Sequence, residues 1–336
     1  MTNPRSPRTA WLLAALLAAS VALIALGVAI GSTGAGSVAA IWRDPQAAQI
    51  IWDIRLPRTV GAWAAGALLG LAGAIAQGLF RNPLADPYLL GSASGATLAV
   101  ALALAAFGGA SAAGSWLARL GLTGAAFAGA MLGVLLTLAL ARGVQHTLRL
   151  LLAGVIVGVV LGAATNLVML SAPNTLQSMQ GFMLGSTSFV GWPASLLMLA
   201  VWLPCVIVAA ALAQALDALA LGESTAASLG LPLAPIRAVL VALLALATGA
   251  AVAQTGLIAF VGLAAPHLVR SITRTTHRGL IVLSSLMGGL LLAAADLLAR
   301  WVVAPAEWPV GVLTAGIGGG YLLWLMHRRG WQGGAR

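Results

Sequence analysis

Few side chains in this sequence could carry out chemistry, and their identities exclude more than they allow. All 17 basic residues are Arg, and the chain contains no Lys. A phosphate-binding loop of the GxxxxGK[ST] type needs a Lys at the β/γ-phosphates, and Schiff-base catalysis needs a Lys amine. Neither can be built here, so any ATP that drives this protein is hydrolysed by another chain. The single Cys205 excludes an intrachain disulfide. His146, His267, His277 and His327 lack ligand spacing and stand at the ends of apolar runs, where an interfacial role is expected and not metal binding. No Ser, His and Asp form a supported triad. No enzyme, cofactor or metal site is expected.

Asp296 is the one acid well inside an apolar run, and Arg300 follows four residues later on the same helix face, where the two can pair. No chain of buried acids is available to couple a proton gradient. Three polar clusters interrupt the apolar runs. Arg81-Asn82-Pro83-Leu84-Ala85-Asp86-Pro87 reads as a stiff turn, because each proline fixes its own φ and restricts the residue before it. Residues 219–232 read as a short helix outside the bilayer, with Glu223 in its first turn and a stop at Gly230 and Pro232. Such a helix can dock into a groove of a partner or lie along the membrane surface. Arg55 and Arg58 flank Pro57 before an apolar run, and Arg300 is a third cation at the same side. The trio can receive acidic side chains of a partner, or pair internally with Asp53, Asp296 or Glu307.

The elements that position these groups follow from composition. Of 336 residues, 61% are hydrophobic and 7% charged, against about 25% charged in soluble domains. Lipid is therefore the main solvent. Apolar runs near 11–31, 59–79, 90–108, 119–141, 149–170, 192–213, 236–254, 257–270, 280–299 and 309–327 predict ten spans in one helical domain. The first is longer than the apolar core of a signal peptide and is read as a retained helix. Ten spans put both termini on one side. With that side cytoplasmic, Arg5, Arg8, Arg81, Arg142, Arg149, Arg237, Arg270, Arg274, Arg278, Arg328, Arg329 and Arg336 are internal, and Arg43, Arg55, Arg58, Arg119 and Arg300 external, which follows the positive-inside rule. The net charge of +10 is scattered in ones and twos without interleaved aromatics, so no nucleic-acid partner is expected.

From about Ile51 onward the sequence resembles the FecCD family of ABC-importer permeases for iron–siderophores, haem and vitamin B12. The stretches that carry the likeness are RLPRTVGAWAAGALLGLAGAIAQGLFRNPLADPYLLGSASGA (55–96), LLLAGVIVG (150–158), LALGESTAASLGLPL (219–233), GLIAFVGLAAPHLVR (256–270), and DLLAR with PAEWPVGVLTAGIGG (296–319). The sequence departs from that family's pattern at Gly318-Gly319-Gly320, at Trp308 and at Thr275-Thr276-His277-Arg278.

The resemblance implies an all-α, polytopic type II importer permease of about ten transmembrane helices in a bacterial inner membrane, with both termini cytoplasmic. Residues 1–10 and 328–336 would be cytoplasmic tails around the permease domain 11–327. The implied partners are a second copy of the chain, two cytoplasmic ABC ATPase subunits, a periplasmic substrate-binding protein and the lipid bilayer. The implied cargo is a ferric siderophore, haem or cobalamin; an ion-gradient-driven secondary transporter is the alternative. By the same likeness, Leu221, Gly222, Glu223, Ser224, Ala226, Ala227, Leu229 and Gly230 would form the helix that couples to the ATPase. Arg55, Arg58 and Arg300 would receive the binding protein. Gln77, Asn166, Met169, Asn174, Gln177, Met179, Met183 and Ser186 would line the translocation path, and Arg81, Asn82, Pro83, Asp86 and Pro87 would form a structural cytoplasmic turn.

Overall fold

The computed structural model describes residues 7–31, 34–35, 45–107, 116–144 and 147–333. Arg5, Arg43, His146 and Arg336 lie outside the described residues. Each predicted span overlaps one helix: α1 Pro7–Ala29, α3 Leu56–Leu79, α4 Ser92–Ala106, α5 Trp116–Ala141, α6 Thr147–Ser171, α8 Trp192–Ala211, α11 Leu233–Thr255, α12 Val261–Ile272, α13 His277–Trp301 and α14 Val310–Gly333. Among the described residues, seven helices are long and apolar enough to cross a membrane, and Ser92–Ala106 and Val310–Trp324 are shorter apolar helices. Four short helices stand between them: α2 Pro45–Ile50, α7 Leu176–Leu184, α9 Ala213–Ala220 and α10 Glu223–Ser228. Ile30–Gly31 pairs with Gly34–Ala35 in a minimal antiparallel ribbon. Helix α1 begins at Pro7 and α14 runs on to Gly333.

Helix α3 is the axis of the fold. Every residue from Pro57 to Leu79 except Val60 is buried, as expected for a helix apolar on all sides. Its neighbours approach closely because its contact faces carry Gly and Ala. A Cβ on Gly66 would strike the backbone of Gly288 in α13, and one on Gly73 would strike Gly262 in α12. With no hydrophobic force between helices in lipid, such small-residue crossings let dispersion contacts hold the bundle. Buried polar groups are joined across helices: Trp63 donates to Ser20 at 3.0 Å, Trp202 to Ser285 at 2.6 Å, and Ser285 to the Ala67 carbonyl at 3.0 Å. The outer helices keep apolar faces exposed, including Leu132, Leu135 and Leu136 on α5 and Val155, Ile156 and Val159 on α6. In water that surface would aggregate; against lipid tails it is the ordinary solvent contact.

Candidate functional site

Two polar constellations stand at opposite ends of the α3–α13 pair. At the end where α3 begins, Asp296 is fully buried. Its Oδ1 accepts from Arg58 Nε and Nη2, each at 3.1 Å, and from Thr187 Oγ1 at 2.5 Å. Its other oxygen pairs with Arg300, one turn along α13. Arg58 Nη1 also reaches Glu307 at 2.8 Å, and Ser188 donates to Glu307 at 3.0 Å. Arg300 donates onward to Thr59 Oγ1 at 3.1 Å and to the Gly27 carbonyl at 3.3 Å. Two cations and two anions thus neutralise each other and tie together α1, α3, α13, the 185–191 segment and the loop before α14.

Of the two arrangements the sequence left open for Arg58 and Arg300, the structure shows the internal pairing with Asp296 and Glu307. The two Arg are 7% and 2% exposed and are occupied by internal acids. The reason is electrostatic: a guanidinium withdrawn from water must be paired, and Asp296 sits within reach of both. Arg55 is partly buried and donates to the Val28 and Ala29 carbonyls at 3.3 and 3.2 Å.

At the other end lies α10. Gly222, with φ +119°, breaks the chain out of α9, and Gly230, with φ +75°, turns it away toward α11. The first conformation is open only to glycine and the second favours it. Leu221, Ser224, Ala227 and Leu229 are exposed, and the two Leu are 71% and 62% accessible. Ala226 points the other way and is fully buried, so it anchors the helix and does not meet a partner. Glu223 faces the protein: its Oε1 accepts from Arg237 Nη2 at 2.7 Å and lies 3.7 Å from Arg81 Nη2. One carboxylate therefore bridges α10 to the start of α11 and the end of α3. Sequence reading placed Glu223 in the first turn of the coupling helix and Arg237 among the internal cations without pairing them; no local signal links two residues 14 positions apart.

The 81–87 turn adjoins this bridge. Arg81 has φ +50°. Asn82 Oδ1 accepts from the Leu84 amide at 2.9 Å and Asp86 Oδ1 from the Tyr88 amide at 2.8 Å, so both act as side-chain turns. Burial raises the Asp86 pKa above its ordinary value, and the Tyr88 amide partly opposes this. Pro87 is buried against Gly262, and Tyr88 donates to the Ile258 carbonyl at 3.1 Å. Arg81, Asn82, Pro83 and Leu84 remain exposed beside α10.

The expected path residues divide. Asn166, Asn174, Gln177 and Met183 are exposed, and Met169 and Ser186 are partly buried. Gln77 and Met179, also expected on the path, are buried within the chain. Gln77 donates to the Leu263 carbonyl at 3.2 Å and accepts from Arg270, pinning α3 to α12. Met179 is fully buried in a small core with Ala96, Val100 and Val252. The exit of α7 is fastened through backbone: Leu257 donates to Phe182 at 3.0 Å, Ser186 to Thr255 at 2.8 Å and Gly311 to Gly185 at 3.3 Å. Among the described residues no three His, Cys, Asp or Glu side chains come together to hold a metal.

Comparison with known proteins bears on this arrangement. Residues 12–328 match the model of the FecCD transport family. The chain is 40% identical over 290 residues to the vitamin B12 import system permease protein BtuC of Escherichia coli O157:H7, covering 86% of this chain and 87% of that one. It is 40% identical over 286 residues to BtuC of Salmonella paratyphi A, covering 85% and 86%. Its structure matches an inward-facing conformation of a metal-chelate type ABC transporter with a TM-score of 0.84 and 28% identity, over 94% of this chain and 98% of the other. A second match, to PsaBC from Streptococcus pneumoniae, has a TM-score of 0.52 at 18% identity and shares the fold alone.

Proposed function

Since the chain belongs to the FecCD transport family and is the membrane permease subunit of a type II ABC importer, we propose that its cargo is cobalamin. The observation that carries this reading is the 40% identity to vitamin B12 permeases over 290 residues. The 28% match to a metal-chelate type transporter supports a ferric chelate as the second reading. The expectation of an ion-gradient-driven carrier has no support from the family match.

In this reading two copies face each other across the surface that includes Asn166, Asn174, Gln177 and Met183, and the path runs between them. Separate ATPase subunits supply the energy, since this chain has no Lys for a phosphate-binding loop. They engage the face of Leu221, Ser224, Ala227 and Leu229, next to the exposed part of the 81–87 turn. A binding protein delivers cargo at the opposite end, near Arg55 and the rim of the Arg58–Asp296–Arg300 cluster. That end is periplasmic and both termini are cytoplasmic.

The lever between the two ends is the α3–α13 pair. Glycine contacts press the two helices together along their middle, and Gln77 with Arg270 fastens α12 to α3. A push on α10 passes through Glu223 to Arg81 at the end of α3 and to Arg237 in α11. Close-packed helices move as bodies and do not deform continuously. ATP then shifts the equilibrium by the difference in its affinity between the outward and inward states. The permease makes and breaks no bond.

The test is uptake into proteoliposomes holding this chain with its ATPase and binding protein. Saturable, ATP-dependent accumulation of labelled cobalamin is the expected result. Uptake of a ferric siderophore or haem with no cobalamin transport would overturn the assignment.

A further inference from the structure

A different group of cations is left unused by the function above, at the end of the bundle where α1 and α13 begin and α12 ends. Two cavities adjoin the turn joining α12 to α13, and they share no lining residue. One, of about 260 Å³, is bounded by Arg270, Thr273, Arg274, Thr275, His277 and Leu280. The other, of about 430 Å³, is a crevice between α1 and α13. Its walls change character with depth. Thr9 and Arg278 come from the first turns of their helices, and Leu13, Val282 and Leu283 come from the next turns inward.

The charge here is not cancelled internally. Arg274 and Arg278 are exposed, and among the described residues neither forms an ion pair. Arg270 donates to the neutral Gln77 amide oxygen. The acid recorded against this lining is Asp217, and it is taken by His277, whose Nδ1 lies 2.6 Å from Asp217 Oδ1. The cluster at the other end of the bundle, by contrast, balances each Arg with an acid. A general surplus of Arg at one membrane face accounts for net charge, but not for a polar mouth leading into an apolar slot.

We propose that the crevice between α1 and α13 binds an anionic phospholipid, with the headgroup at its polar mouth. Arg278, at the mouth of the crevice, donates to the phosphodiester in a forked arrangement, and the exposed Arg274, in the turn just before α13, adds positive charge nearby. The Thr276 hydroxyl is in reach of the same mouth, and one acyl chain follows Leu13, Val282 and Leu283. Basic pockets between membrane helices at the interface select anionic headgroups in this way. The apolar continuation of the crevice distinguishes a lipid from free phosphate. The site does not depend on the cargo or on the ATPase; only the leaflet it faces rests on the proposed orientation.

The test is lipid retention by the full-length chain, purified with any partners that accompany it. Native mass spectrometry in mixed phosphatidylglycerol and phosphatidylethanolamine should show preferential retention of phosphatidylglycerol. Arg274→Gln with Arg278→Gln should weaken that retention by roughly 30-fold, the effect of two interfacial charges at about 1 kcal/mol each. Both side chains are exposed, so the variant should elute and melt as the parent does. Val282→Trp, at a half-buried position of the slot, should lower retention without changing charge. Equal retention of both lipids by the parent, or unchanged retention in the double Gln variant, would overturn the proposal. So would displacement of phosphatidylglycerol by millimolar inorganic phosphate, which would mark a free-anion site. Because the readout uses neither uptake nor ATP hydrolysis, its failure leaves the permease reading intact, and failure of cobalamin uptake leaves this one intact.

Discussion

Replacing Asp296 by Asn tests whether the buried ion cluster is a structural lock. The carboxylate is fully buried and accepts from Arg58, Arg300 and Thr187. Asn keeps the shape and one acceptor oxygen but removes the charge. Two guanidinium groups, 7% and 2% exposed, would then share Glu307 alone. Removing one partner of a buried ion pair costs about 3–5 kcal/mol, and the retained neutral acceptor puts this variant near the lower figure. Unfolding entropy of about 2.1 cal/mol/K per residue, over 336 residues, gives ~0.7 kcal/mol/K. The midpoint should therefore fall by ~4 °C. Glu307→Gln removes the same charge from a side chain that is 22% exposed. Water screens that site, so about 1 kcal/mol or less is expected there, a shift under ~2 °C. Asp296→Asn combined with Arg300→Met should recover part of the loss, because the second change removes one of the stranded cations. The assay is thermal unfolding of each purified variant in one detergent, followed by tryptophan fluorescence. Equal shifts for Asp296→Asn and Glu307→Gln, or strict additivity in the double variant, would refute the reasoning.

Four further outcomes are expected. Arg55→Glu should lower binding-protein-stimulated ATPase activity in the assembled importer while basal activity persists, whereas Arg58→Glu should lower yield and midpoint, because that side chain holds the buried cluster. Glu223→Ala should reduce cargo moved per ATP by severing α10 from Arg237 and Arg81, and the swap Glu223→Arg with Arg237→Glu should restore much of it in proteoliposomes. Gly73→Val should cost at least about 1–3 kcal/mol, read as a lower midpoint, since its Cβ would overlap the Gly262 backbone. Burial raises the Asp86 pKa above 3.8, so the native state holds this proton more tightly than the unfolded chain. Stability should therefore fall as pH rises from about 3.8 through the raised value. Asp86→Asn, which can still accept from Tyr88, should flatten that slope in midpoint-versus-pH curves.

Much of the architecture was legible because lipid leaves few choices. Backbone groups in hydrocarbon must bond within their own segment, so ten apolar runs could become little except helices. The 81–87 turn and the short helix near 223–228 were readable from Pro, Gly and one acidic residue, since those residues act through their own backbone. What local sequence could not supply was the partner of each charge. Met179 and Met183 stand one turn apart on α7 with the same chemistry, yet the first is fully buried and the second 46% exposed. Only the packing of α4 and α11 against the start of α7 separates them.

The sequence by itself determined the solvent, the helical class, the lack of a Lys for a phosphate-binding loop and the places where the chain must leave the membrane. Each follows from residue type and local spacing. Tertiary structure alone decided that Arg58 joins the Asp296–Arg300 pair, that Glu223 is shared by Arg81 and Arg237, and that Gln77 ties α3 to α12. Those pairings join residues as far as 238 positions apart. Charge interactions fall with distance in space, and distance along the chain says nothing of it until the helices have packed.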